Sequence, residues 1–344
     1  MNRKIITILL ICLVAGILAV ALTKYCLRES RSPVSLPKKK IVKKEVASSV
    51  PSPTPAIETQ TPISVSEKHN EHIMEELQHL EISESVRTIT GLYTGRKDYL
   101  ARMKAMRQLT RNIKDDDTKA LVLFLDSRSQ GQKDLNLLEF NGVKNDALDV
   151  LLKQEKLPDG LGSRLVEMYR DKEHDDVWRD YCVQYFAEYY KQKWPDSANV
   201  EKEEPERTEI KSAYWEAVTE KDKTIAGTAL IGLESLSRQY KEIYRDRISS
   251  NALELANEDT CIEASRITAL RICGMMKKMD VLPSARIVAQ TGETITLRMA
   301  AIATIGDLGD NEDMELVKSL AADPEKRISS IAQSALRRLE KRTK

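Results

Sequence analysis

A short pattern recurs along this chain: a basic residue, a small residue three positions on, and aliphatic or aromatic residues four and seven positions on. Offsets of 3, 4 and 7 share one face of a helix with 3.6 residues per turn, and the small residue lets a neighbouring helix come close. The copies are Arg102-x-x-Ala105-Met106-x-x-Leu109, Lys144-x-x-Ala147-Leu148-x-x-Leu151, Arg179-x-x-Cys182-Val183-x-x-Phe186 and Arg266-x-x-Ala269-Leu270-x-x-Cys273-Gly274. A fifth runs from Arg298 through Ala301, Ile302, Ile305 and Gly306, and two more start on Ala226 and Ala332 without the basic residue. Only 5% of residues are aromatic and only 13 are Gly, which disfavours strand-rich folds built on aromatic strands and glycine turns. The pattern therefore predicts an all-α fold.

Near the C-terminus the copies resolve into a helix pair. Gly309 is predicted to end the helix that carries Leu297, Ala301, Ile305 and Leu308, and 311–321 form a second amphipathic helix through Met314, Leu316, Val317 and Leu320. Asp323 followed by Pro324 is a start signal for the next helix, Asp capping free N–H groups and Pro taking the first helical position. Successive pattern starts lie 42, 35, 47, 40, 32 and 34 residues apart, periods that suit stacked helix pairs. In these residues the chain resembles HEAT repeats, especially the shorter HEAT-like type of phycobilin lyases, most closely over 247–342 and more loosely from about 98. The resemblance implies an α-solenoid. A tetratricopeptide array needs a fixed 34-residue period with its own Trp-Leu-Gly-Tyr order, which is not seen here, whereas an irregular helical bundle remains an alternative.

Ahead of the repeats the text changes twice. Residues 5–22 carry no charge and no Pro and follow Arg3 and Lys4; as a helix they reach about 27 Å, close to the ~30 Å of a hydrocarbon core. Two readings fit: an uncleaved transmembrane anchor over 5–23, and a cleaved signal peptide with Ala19, Val20 and Ala21 as its exit. The length of the run favours the anchor. A lipoprotein signal is excluded because Cys26 follows Lys24 and Tyr25 rather than small residues. Flanking Lys and Arg counts argue for a cytoplasmic body and the signal-like order for an exported one, and the expectation is a single-pass protein with an extracytoplasmic body. Residues 24–66 hold six of the eleven prolines and read as a disordered spacer, with Pro51, Pro53 and Pro55 favouring polyproline II. The expected organisation is thus a tail (1–4), an anchor (5–23), a spacer (24–66), a leading helical segment (67–97) and the repeat domain (98–344).

Beyond the spacer, 67–344 carries 44 Lys+Arg against 50 Asp+Glu, and this mildly acidic body argues against nucleic acid as a partner. His69, His72, Glu76 and His79 stand one turn apart on a predicted helix, but His72 and His79 are two turns apart, about 10 Å, so the group reads as a solvated face rather than a metal site. The paired His-Glu motifs of HEAT-like diiron hydroxylases have no counterpart, since the body has one further histidine, His174. Cys182, Cys261 and Cys273 read as small buried hydrophobes. Trp178, Tyr181, Tyr185 and Tyr189 put four aromatic rings along one stripe, either core packing or a protein-docking strip. No catalytic residue, metal or cofactor is expected. The resulting expectation is a membrane-anchored helical scaffold with two partners, lipid through 5–23 and an unidentified protein on the repeats, docked at Trp178, Tyr181, Tyr185 and Tyr189. The resemblance also implies an alternative, an enzyme or cofactor-handling protein of the lyase kind.

Overall fold

The structure, a computed structural model, describes residues 65–92, 99–129, 135–195 and 204–343. These residues form fifteen α-helices and two short 3-10 turns, all within the compact unit Thr61–Lys344. The first helices are α1 (Val65–Gln78), α2 (Glu84–Thr90), α3 (Tyr99–Met106), α4 (Asp115–Asp126) and α5 (Leu137–Leu152). The central ones are α6 (Leu161–Arg170), α7 (Asp176–Lys193), α8 (Pro205–Ala217), α9 (Ile225–Ser237) and α10 (Arg245–Asn257). The last are α11 (Glu263–Met276), α12 (Leu282–Thr291), α13 (Ile295–Leu308), α14 (Met314–Ala321) and α15 (Lys326–Thr343).

Local chemistry sets the helix ends. Asn136 caps α5 in a box with Glu139, Asp175 accepts from the Val177 and Trp178 N–H groups at 3.1 Å to open α7, and Pro205 starts α8. Gly309 closes α13 by donating to the Ile305 carbonyl at 2.7 Å. A Cβ there would lie 2.8 Å from that same carbonyl. The expected helix over 311–321 divides into a 3-10 turn, Asn311–Asp313, and α14, because Asp313 turns back to the Asp310 N–H in a capping box. After it, α15 begins at Lys326, two residues past Pro324, with Asp323 accepting from the Glu325 N–H at 2.8 Å.

After α1, the helices pack as sequential pairs, α2 on α3 through α14 on α15, and the second helix of each pair packs on the second helix of the next: α3, α5, α7, α9, α11, α13, α15. One continuous apolar core follows from Ile73 in α1 to Leu339 in α15. The seven pattern starts fall on these seven second helices, and the small positions Ala105, Ala147, Cys182, Ala229, Ala269, Ala301 and Ala335 are all buried. The structure also shows what the basic residue of the pattern does. Arg102 donates to the Ile89 carbonyl at 3.0 Å, Lys144 to Ser127 at 2.9 Å, Arg179 to Tyr169 at 2.7 Å and Arg298 to Ala289 at 3.0 Å. Each carbonyl sits at or just past the C-terminal end of the first helix of the same pair, where carbonyls lack intrahelical partners and the helix dipole favours a cation. Arg266 departs from this and pairs with Asp259 at 3.2 Å.

Several expectations need correction. What the structure establishes is an all-α fold of fifteen packed helices; the fold expected from the resemblance, an α-solenoid with a transmembrane helix ahead of it, is not what the described residues form. Among them no helix is long and apolar enough to cross a membrane. The two longest, α7 and α15, have 18 residues each and carry several charges, Asp176, Arg179, Asp180 and Glu188 among those of one, Arg337, Arg338 and Arg342 among those of the other, which a hydrocarbon layer does not accept. The single-pass topology, the extracytoplasmic placement and the lipid partner all depended on the span at 5–23, which lies outside the described residues, as does the spacer up to residue 64. The described residues support none of the three. The first described helix, α1, begins at Val65 rather than at 67.

Candidate docking face

The aromatic stripe of α7 goes mostly inward. Trp178 and Tyr189 are fully buried and Tyr185 is 9% exposed, while Tyr181 is half-buried at the edge. Trp178 stacks under Lys144, whose Nζ is 4.0 Å from the ring centroid, and Tyr189 donates to Glu206 at 2.9 Å. Burial, with the Asp149 and Glu188 charges nearby, pushes the Tyr185 phenol up, so it stays protonated. The chain places these four residues together, yet it offers a partner only Tyr181 and the rim of Tyr185; Lys144 of α5 lies over Trp178, and α6, α8 and Trp194 close around Tyr189.

Around Trp178 lies a buried polar cluster. Lys144 is fully buried with one hydrogen bond, to the Ser127 carbonyl, and burial pushes its pKa down to about 7 against the pull of Cys182, Asp175 and Asp126. Asp126 meets His174 at 3.4 Å and its backbone carbonyl meets His69 at 3.1 Å. Burial works to raise the Asp126 carboxyl, but the hydrogen bond and charge of His174 outweigh it and hold it low. Burial lowers the His174 imidazole, with Asp126 opposing. His69 thus ties α1 to α4, while His72 pairs with Glu76 at 2.9 Å on the exposed face. The histidines expected to form one polar face are therefore split. All three described cysteines are buried, and desolvation pushes the Cys182 and Cys273 thiols up to about 12. Lys144, Asp126, His174 and His69 fasten neighbouring helices to one another.

Among the described residues, two surface concavities bear on a docking role. One, about 750 Å³, lies between the end of α1, α4 and the loop before α6, with Leu80, Val122 and Leu157 in its wall and four basic and four acidic side chains around it. That balance selects no charge. The other, about 300 Å³, lies between α9 and α11 and is formed by Ile231, Ile272 and Met275 with Arg238 and Arg271 at its edges. Ile231 is 55% and Met275 46% exposed. Counted from each pattern start, the fifth position on is Arg107, just past the end of α3, and then Asp149, Gln184, Ile231, Arg271, Ala303 and Arg337 on the other six second helices, a row of exposed and half-buried positions. Ile231 is the large apolar exception in that row, and this was the signal in the sequence that marks the groove: an aliphatic residue at an offset the other copies fill with polar or small ones.

No family model matches the chain, and no curated protein matches it. The resemblance to HEAT-like repeats of the lyase kind is accordingly corrected to a likeness of residue pattern, without membership. The physical reason lies in the pattern itself. Small, aliphatic and basic residues at these offsets are what any close-packed pair with a capped C-terminus selects, so they report helix packing rather than descent.

Proposed function

We propose that this chain is a non-catalytic helical scaffold that binds a segment of another protein on the exposed row of its second helices. The groove between α9 and α11 carries this reading, because Ile231 and Met275 are left in solvent where the other repeats place polar or small residues. Tyr181 and the edge of Tyr185 extend the face onto α7, with Trp178 and Tyr189 beneath them as rigid support. The buried ionisable groups support the absence of catalysis, since Lys144, Arg179 and His174 are spent on holding helix ends and neighbouring helices.

Site-specific photocrosslinking tests the proposal. A photoreactive residue at Ile231 should yield a discrete protein adduct, and one at Ile287, equally exposed but on a first helix, should not. Equal labelling at both positions, or none at either, overturns it. Replacing Tyr181 and Tyr185 with Ser tests the α7 extension: loss of the adduct with an unchanged melting temperature supports it, and a large fall in melting temperature assigns both residues to packing.

A further inference from the structure

We infer that the partner segment is acidic and extended, with one aliphatic or aromatic side chain in the groove between α9 and α11, a carboxylate on Arg271 and a second acidic residue near Arg337. This rests on the scaffold reading above and specifies its partner. The argument is one of unspent charge. Arg238 is already committed, its Nε and Nη2 donating to the two carboxylate oxygens of Glu234 at 2.9 and 2.8 Å. Arg338 is committed to Asp307 at 3.2 Å, and Arg342 donates to the Gly309 carbonyl at 2.7 Å. Those pairs neutralise Glu234 and Asp307, the remaining acid of α15, Glu340, acts on Lys318 of α14, and the exposed Arg271, Arg337 and Lys341 are left with no ion pair among the described residues. An anionic ligand is what the remaining charge selects.

Geometry sets its form. Second helices pack side by side at about 8–10 Å, so Arg271 on α11 and Arg337 on α15, with α13 between, stand roughly 20 Å apart. An extended strand at about 3.3 Å per residue covers that in about six residues. Between the two arginines the row holds Ala303, small enough for a backbone to pass over. The helices are in register for this: Thr304 donates to the Leu270 carbonyl at 3.0 Å, and Arg338 to Ala303 at 3.3 Å. A nucleic-acid backbone fits poorly, because the same face on α5 and α7 carries Asp146, Asp149 and Glu188, and the groove beside Arg271 is apolar.

The test is selection of a random peptide library displayed on phage against the full-length chain, with Arg271→Glu and Ile231→Asp as comparison proteins. Both positions are exposed, and circular dichroism confirms that each variant is folded. Enriched peptides should place an aliphatic or aromatic residue beside an acid, with a second acid about six residues on. Their binding should fall at least about tenfold on either variant. Changing the first acid of a selected peptide to Lys should restore binding to Arg271→Glu. Enrichment of basic or neutral peptides, equal binding to Arg271→Glu, or equal competition by an oligonucleotide overturns the inference. If the photocrosslink at Ile231 captures a partner through a basic segment, the acidic assignment fails while the scaffold stands; no crosslink and no enrichment remove both.

Discussion

Arg179 is a charged side chain only 1% exposed, and its position explains why a basic residue recurs in the pattern. Its Nε serves the Tyr169 carbonyl, and its two terminal nitrogens reach Glu220 at 2.6 Å and Asp176 at 3.0 Å, so one residue joins α6, α7 and the turn after α8. Replacing it with Met should cost about 3 kcal/mol in urea unfolding, since a buried carbonyl and a partly buried carboxylate lose their partner. Arg298→Ala, at a position 20% exposed, should cost about 1 kcal/mol. Equal losses for the two would detach burial from the effect. Lys144 differs in having no carboxylate within ion-pair distance among the described residues, and its burial makes it pH-sensitive. In the unfolded chain it takes up its proton as pH falls through 10.5, whereas in the folded chain it does so only near pH 7. Between these values the unfolded state binds the extra proton, so this residue's contribution to stability is full above pH 10.5 and is lost as pH falls toward 7. The buried thiols act oppositely at alkaline pH, since their folded values lie above the ordinary one. The difference between wild type and Lys144→Met isolates the lysine. Urea midpoints between about pH 7 and 9 should show a difference that changes by up to about 1.4 kcal/mol per pH unit. A difference that does not vary with pH would contradict the buried placement of the amine.

At the scale of the element, close approach governs which helices meet. On α13, a Cβ at Gly306 would lie 2.7 Å from the Ala335 Cβ and 2.8 Å from its Cα, so the glycine sets the separation of α13 and α15. Gly306→Ala should destabilise by roughly 1–3 kcal/mol, because a backbone neighbour cannot rotate aside as a long side chain can. Hydrogen exchange should show the loss concentrated in α15. Gly160 makes the control: its φ is 70° but nothing lies near its Cβ position, so Gly160→Ala should cost about 1 kcal/mol, from backbone strain alone. Much of this level was legible in the sequence, since the small and aliphatic offsets mark the buried face of all seven second helices. The first helices were harder. Helix α2 has seven residues and α14 eight, too short for a period to declare itself, and the turn at Asn311–Asp313 is made by a carboxylate reaching back to an N–H, which no hydrophobic pattern reports. The aromatic stripe misled for a related reason. Positions such as Tyr185 lie beside the core offsets, and whether they meet solvent or a neighbour depends on how closely α5 and α9 approach α7.

In the whole molecule, the main contacts link each pair to the next in chain order, and stability is then close to a sum of local terms and nearest-neighbour interfaces. A chain ending after residue 309 tests this. It lacks α14 and α15, 8 and 18 residues of helix, and should lose ellipticity in proportion while α1–α13 stay folded. Its melting temperature should drop by several degrees as the α13 face loses its cover. Collapse of the whole spectrum would mean that the core behaves as one cooperative body. The same truncation separates the two halves of the docking argument. It keeps Ile231, Met275 and Arg271 and removes Arg337 and Lys341, so an acidic segment should still engage the groove between α9 and α11 but bind more weakly. Its salt dependence should also become shallower, because fewer charges are paired in the complex. If affinity and salt dependence were unchanged, the segment would end at α11, and the exposed bases of α15 would serve only to keep the last helix in water.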